Sequence, residues 1–92
     1  MSNIYQIYLI SDSTGETLDR IFTAIKAQFK NIDYKIHTYS FTRTENQILK
    51  ILSNAQENQS SIILYSIVDS RLAKYLARNS EEKKILILLN YV

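Results

Sequence analysis

Two kinds of hydrophobic pattern alternate along the chain. Ile4 to Ile10 is a nearly unbroken apolar and aromatic run, IYQIYLI, the pattern of a parallel strand covered on both faces. From Leu18 the apolar residues recur as Leu18, Ile21, Phe22, Ile25 and Phe29, which is one face of a helix. Tyr34 to Tyr39 alternates instead, with Tyr34, Ile36 and Thr38 sharing a face, and predicts a strand nearer a sheet edge. Ile48, Leu49, Ile51, Leu52 and Ala55 form the apolar face of a second helix, which the polar run Gln56 to Ser61 ends. Ile62 to Val68 (IILYSIV) is again a continuous strand, followed by a third helix with Leu72, Ala73, Tyr75 and Leu76 on one face, and Ile85 to Leu89 (ILILL) is a fourth strand candidate.

Strands alternating with helices imply crossover connections and a largely parallel sheet. Two continuous strands flanked by an alternating one predict an α/β fold, a three-layer Rossmann-like or flavodoxin-like parallel sheet with strand order 2-1-3-4. Residues 1–92 read as a single α/β domain. Helix starts are expected at a capping box of Ser13 with Glu16, at a second of Thr42 with Glu45, and at Asp69 or Ser70. The carboxyl end departs from the pattern. A strand as apolar as ILILL needs a covering helix on each face, yet only three residues follow it. The fold is therefore expected to be incomplete there, the chain to be the amino-terminal domain of a larger protein, and the uncovered strand to favour self-association.

Strand order 2-1-3-4 switches direction between strands 1 and 3, where ligands of open α/β sheets collect. The only glycine, Gly15, falls beside that switch, in the run Ser11-Asp12-Ser13-Thr14-Gly15-Glu16-Thr17. A helix beginning just beyond it presents N–H groups without intrahelical partners and the positive end of its dipole, so an anion can dock there. Gly15 would let the ligand approach the backbone closely. The capping box accounts for Ser13 and Glu16 with no ligand at all. One glycine excludes both G-x-G-x-x-G and G-x-x-x-x-G-K-[ST].

Composition narrows the classes. Eleven basic and nine acidic residues are mixed along the chain for a net charge of +2, so no basic stripe marks a nucleic-acid surface. No apolar run is long enough to span a bilayer, and Met1-Ser2-Asn3 lacks the basic start of a signal peptide. With no cysteine, nothing calls for an oxidising compartment, and a cytoplasmic location is the expectation. No cysteine and a single histidine, His37, leave no recognisable zinc site.

Three blocks, IYLISDSTGETLDRIFTAIKAQF, FTRTENQILKIL and IILYSIVDSRLAKYL, carry a resemblance in their order and spacing. They resemble the pyruvate, phosphate dikinase regulatory proteins and the related phosphoenolpyruvate synthase regulatory proteins, S-D-S-T-G-E-T being the most specific run. The resemblance implies a bifunctional serine/threonine kinase and phosphorylase. Such proteins phosphorylate a threonine of the dikinase or synthase with ADP as donor, and remove the group with inorganic phosphate, releasing pyrophosphate. ADP or ATP as nucleotide and one of those two enzymes as partner are implied with it, with magnesium a candidate companion of the nucleotide. The match runs up to about Asn79, roughly the first third of a family member, and the stretch Asn79 to Val92 drifts from the pattern. The family's glycine-rich phosphate loop with its lysine lies later and has no counterpart in this sequence, so the isolated chain is expected to be inactive. Ser40 stands where the family tends to have proline. A non-catalytic phosphate- or nucleotide-binding module, or a truncated remnant, is the alternative.

Ser11, Asp12, Ser13, Thr14, Gly15 and Thr17 are the candidates to line a phosphate pocket, with Glu16 shaping it. Asp12 at a strand end suits a magnesium ion or a hydroxyl, although a lone aspartate more often caps a turn. Arg43, and less strongly Arg71, each follow a strand on the edge that carries Gly15 and offer planar bidentate donors to phosphate. His37 lies mid-strand and reads as a packing residue. The seven tyrosines read as core or interface. No catalytic residue is identified.

Overall fold

In the computed structural model, which describes residues 4–58 and 60–90, both hydrophobic periods become elements in the expected order. These are β1 (Tyr5–Ser11), α1 (Glu16–Ile25), β2 (Tyr34–Tyr39), α2 (Glu45–Gln56), β3 (Ser61–Ser66), α3 (Ser70–Glu82) and β4 (Leu86–Asn90). The four strands form one parallel sheet in the order β2-β1-β3-β4. That is the Rossmann-like α/β arrangement that the patterns predict.

Two cores flank the sheet. Ile7 and Leu9 of β1 with Ile62 and Leu64 of β3 face Leu18 and Phe22 of α1. Tyr8 and Ile10 with Ile63 and Tyr65 face the other way, onto Ile48, Ile51, Leu52 and Ala55 of α2 and Leu76 of α3. Alternate residues of β1 and β3 are thus buried on opposite faces, which is why their sequences read as continuous rather than alternating. In β2, Tyr34 meets Phe22 edge-on at 5.6 Å, but Ile36 on the same face is 42% exposed. The opposite face of β2 carries the packing. His37 stacks on Tyr8 at 4.6 Å between ring centroids, and Tyr39 lies parallel to Tyr8 at 6.2 Å.

Local differences from expectation have local causes. Helix α1 ends at Ile25, and Lys26–Phe29 tighten into a 3-10 turn before Asn31 reverses the chain at φ 67°. Neither expected capping box forms. Gly15, not Ser13, occupies the N-cap of α1 and supplies no side chain. At α2 the box is shifted by two residues: Thr44 Oγ1 accepts from Gln47 N at 3.1 Å, and Gln47 Oε1 accepts from Thr44 N at 3.0 Å. Thr42 is 2% exposed and lies outside the helix. Asp69 does cap α3, accepting from Arg71 N and Leu72 N. Strand β3 stops at Ser66 although its apolar run continues to Val68, since Val68 N donates instead to Asp12 Oδ2 at 2.8 Å.

The fourth strand is half covered. Ile85 is 8% exposed beside α3, and Ile87 packs against the same core. Leu86 pairs with Ile62 on the α1 side and is 58% exposed, because no described helix reaches over β4 there. The register also slips between Ile63 and Leu64, which pair with Ile87 and Leu89. No helix among the described residues is long and apolar enough to cross a membrane.

One buried polar atom stands out. Ser80 Oγ in α3 is fully buried and has no hydrogen-bond partner. Since an unsatisfied buried hydroxyl costs about 1–3 kcal/mol, Ser80→Ala is expected to raise stability by about 1 kcal/mol, read as a higher urea midpoint at unchanged slope.

Candidate functional site

The loop from Ser11 to Thr17 leaves the carboxyl end of β1, between β2 and β3, at the point where the strand order reverses. Its path follows from a few bonds. Ser11 is 3% exposed, and its hydroxyl accepts from Ser13 N at 3.1 Å, which turns the chain sharply after the strand. Asp12 ties the loop to β3: its N–H donates to Ser66 O at 3.2 Å and its Oδ2 accepts from Val68 N at 2.8 Å. The segment after β2 closes from the other side, with Phe41 N donating to Ser13 O at 2.9 Å and Thr42 N to Ser11 O at 2.8 Å. Ser40 Oγ donates to Thr14 O at 2.9 Å, a bond that proline in its place could not make.

Gly15 completes the turn at φ 87°, ψ 3°, a corner open to glycine and strained for other residues. A helix begins directly after it with no side-chain cap, whereas α2 and α3 are both capped by side chains. The one local substitute is a long 3.5 Å contact from Glu16 N to Thr14 Oγ1. The leading N–H groups of α1 therefore face the loop without a strong acceptor of their own. Ser13, Thr14 and Thr17 are exposed around this helix start. Glu16 and Asp19 also lie in its first turn, so the charge of an incoming anion must be met by the N–H groups and by a cation from elsewhere.

Arg43 is the cation in place. Its Nε donates to Asp12 O at 3.0 Å, and its guanidinium carbon lies 5.1 Å from the centroid of the Phe41 ring. One of its five N–H donors is thereby engaged and the side chain is held beside the loop. Arg71 joins it across a shallow recess of about 220 Å³ lined by Arg43, Glu45, Asp69, Arg71 and Leu72. The fold thus brings the loop, Arg43 and Arg71 to one edge. Three candidates have structural work there: Ser11 is turned inward, Asp12 braces two loops, and Gly15 is buried under Ser40. Ser13, Thr14 and Thr17 are the exposed side chains that can meet a ligand, although Ser13 Oγ lies 3.2 Å from Ser11 Oγ and Thr14 Oγ1 3.5 Å from Glu16 N.

A magnesium ion fits this edge only as a companion of phosphate. Asp12 offers one carboxylate with an oxygen already engaged, Asp69 caps α3, and no group of three or more His, Cys, Asp or Glu is arranged for a metal among the described residues. Magnesium commonly binds through one or two carboxylates together with substrate phosphates.

Phe41 is missing from the expected site. It is 51% exposed at φ 54°, on the turn that grips the loop. Neither hydrophobic period includes it, and its position directly after the alternating strand was the one available signal. His37 lies away from this edge, as expected; its Nε2 and Gln6 Oε1 are 2.6 Å apart. Burial, with Lys35 adding to it, holds the imidazole below its ordinary pKa, and burial likewise raises Tyr8 and Tyr65. A histidine pKa lowered by folding gives stability that is fully present above its unfolded value of about 6.5 and is lost as pH falls from there through the lowered folded value. The urea midpoint is therefore expected to drop between pH 7.5 and 5.5, with a shallower drop in His37→Gln.

Comparison with known proteins gives the chain its relatives. The kinase/pyrophosphorylase family model matches residues 7–90. A protein of Pelagibacter ubique named as a pyruvate, phosphate dikinase regulatory protein is 68% identical over 85 residues, covering 92% of this chain and 31% of that protein. One of the same name from Geotalea uraniireducens is 41% identical over 80 residues, covering 87% of this chain and 29% of that protein. A third, from Chelativorans sp., is 42% identical over 72 residues, covering 78% and 26%. The chain spans less than a third of the length of these relatives, from their amino-terminal portion.

Proposed function

Because the chain belongs to the kinase/pyrophosphorylase family, we propose that its β1–α1 loop is one wall of the phosphoryl-transfer site of a pyruvate, phosphate dikinase regulator. In the forward reaction the β-phosphoryl group of ADP passes to a threonine hydroxyl of the dikinase, which loses its proton as AMP leaves. In the reverse role inorganic phosphate takes the group from phosphothreonine, giving pyrophosphate and free threonine. Phosphate binding at this wall would use the α1 N–H groups, the hydroxyls of Ser13, Thr14 and Thr17, and the guanidinium of Arg43. Asp12 and Ser11 hold the loop in shape. Magnesium would enter bound to the phosphates, and the reaction would take place in the cytoplasm.

The observation that carries this reading is the helix start left without a side-chain cap behind Gly15, at the sheet's switch point, beside a braced arginine. Positioning and charge stabilisation dominate phosphoryl transfer, and this edge supplies both in part. The lysine-bearing phosphate loop that the resemblance leads one to expect is not in the sequence. The chain alone is therefore expected to bind without turnover. Isothermal titration of the folded chain with pyrophosphate and with ADP should give heat for at least pyrophosphate, while ADP, magnesium and dikinase should give no phosphothreonine. A folded sample silent to both ligands would refute the site.

A further inference from the structure

The groove beside the crevice extends well past the phosphate wall. Arg43 and Arg71 line the first recess, and Arg71 also lines a second, of about 290 Å³, with Glu45, Lys74, Tyr75 and Arg78. Glu45 and Arg71 are common to both, so the two form one groove running from the sheet edge along α3. Arg71, Lys74, Tyr75 and Arg78 follow helical spacing and share one face. The three cations are exposed, and Tyr75 is half-buried between them. Four basic side chains meet two acidic ones, of which Asp69 is already committed to the N–H groups of α3. The groove is thus locally cationic in a chain whose net charge is only +2.

At the crevice end an aromatic group stands beside it. Phe41 is 51% exposed with its ring against Arg43, and its φ of 54° is rare for a bulky residue. Two backbone bonds to the β1–α1 loop fix that conformation. Strained positions held in this way concentrate at functional sites. A rigid exposed aromatic paired with arginine is the composition of a protein interface anchor.

We propose that Phe41, Arg43 and the Arg71–Lys74–Arg78 face of α3 form one docking surface for an acidic face of the protein whose phosphothreonine enters the crevice. This rests on the proposed role of the crevice and names how its protein substrate is held. The geometry accounts for the layout: Arg43 belongs to both features, so a protein seated along α3 presents its neighbouring loop to Gly15. From Arg71 to Arg78 the groove runs roughly 10 Å, enough to engage carboxylates well away from the transferred phosphate. Glu45 within the groove disfavours a uniformly anionic polymer, and so favours an acidic protein face over nucleic acid.

The test uses purified pyruvate, phosphate dikinase on a biosensor surface, a short single-stranded RNA as a second probe, and pyrophosphate titration of every variant. Lys74→Glu combined with Arg78→Glu is expected to weaken dikinase binding about ten-fold or more and to flatten its dependence on salt concentration. Phe41→Ser is expected to weaken it about three-fold or more, and pyrophosphate heat should persist in the α3 charge reversal, reporting an intact crevice and fold. Dikinase binding that is absent in the unaltered chain, or unchanged in the charge reversal, overturns the docking surface, as does tighter binding of the RNA. Loss of pyrophosphate heat in the unaltered chain, with dikinase binding retained, would instead overturn the crevice reading alone.

Discussion

Leu52→Ala is expected to destabilise the chain by about 2–5 kcal/mol, a loss large enough to leave a small domain substantially unfolded at 37 °C. Leu52 is fully buried in α2 and belongs to the larger of the two cores, where α2 and α3 pack on Tyr8, Ile10, Ile63 and Tyr65. Removing its side chain leaves a cavity walled by two helices and a sheet, and such a site collapses poorly. Leu49, one turn earlier and only half-buried, should lose about 1 kcal/mol or less for the same change. Urea denaturation followed by far-UV circular dichroism checks both. Equal losses at the two positions would mean that α2 does not pack by the face described. The consequence reaches the site, because α2 begins at the Thr44–Gln47 box, directly after Arg43.

The same helix shows what the sequence makes legible and what it hides. Ile48, Ile51, Leu52 and Ala55 announce a buried face because periodicity records which side of a helix leaves water. The strand order was legible for a similar reason: β1 and β3 are apolar on both faces and so must lie inside, while β2 alternates and lies at an edge. The capping boxes were not. Ser13-x-x-Glu16 and Thr42-x-x-Glu45 both fit the local rule, but Ser13 O is taken by Phe41 N and Thr42 N by Ser11 O. Contacts between loops distant in sequence decide these two starts, and a local pattern has no record of them.

Within the site, the loop and Arg43 could be picked out from their place after strands, because parallel order puts all such positions on one edge. Their division of labour could not. Asp12 looks like a ligand in sequence and acts as a brace between β1 and β3 through Val68 N, fifty-six residues away. Phe41 looks like a misplaced core residue and is instead exposed at positive φ. In both cases the role is set by tertiary hydrogen bonds, which override what the residue type suggests.

Gly15→Ala should cost mainly the fold or mainly the phosphate wall, according to how the backbone responds. An added Cβ would meet Ser40 Oγ at 3.4 Å and Ser11 Cβ at 3.9 Å, ordinary contacts that need no rearrangement. The conflict lies in the backbone, since φ 87° is a conformation that L-residues avoid. Holding alanine there costs about 1–2 kcal/mol. The chain can relieve that strain by rotating Gly15 out of the left-handed region, which would swing the start of α1 away from Ser13 O and Thr14 O, held by Phe41 N and Ser40 Oγ. Either outcome has a distinct reading. Retained geometry gives a lower urea midpoint with pyrophosphate heat intact; relaxed geometry gives a smaller stability loss and about ten-fold or weaker pyrophosphate binding, since the N–H groups no longer converge. Gly15→Asn separates the two, because asparagine tolerates positive φ better than alanine and should recover part of whichever property was lost. Wild-type stability and wild-type binding together in Gly15→Ala would show that neither the helix start nor the anion depends on this corner.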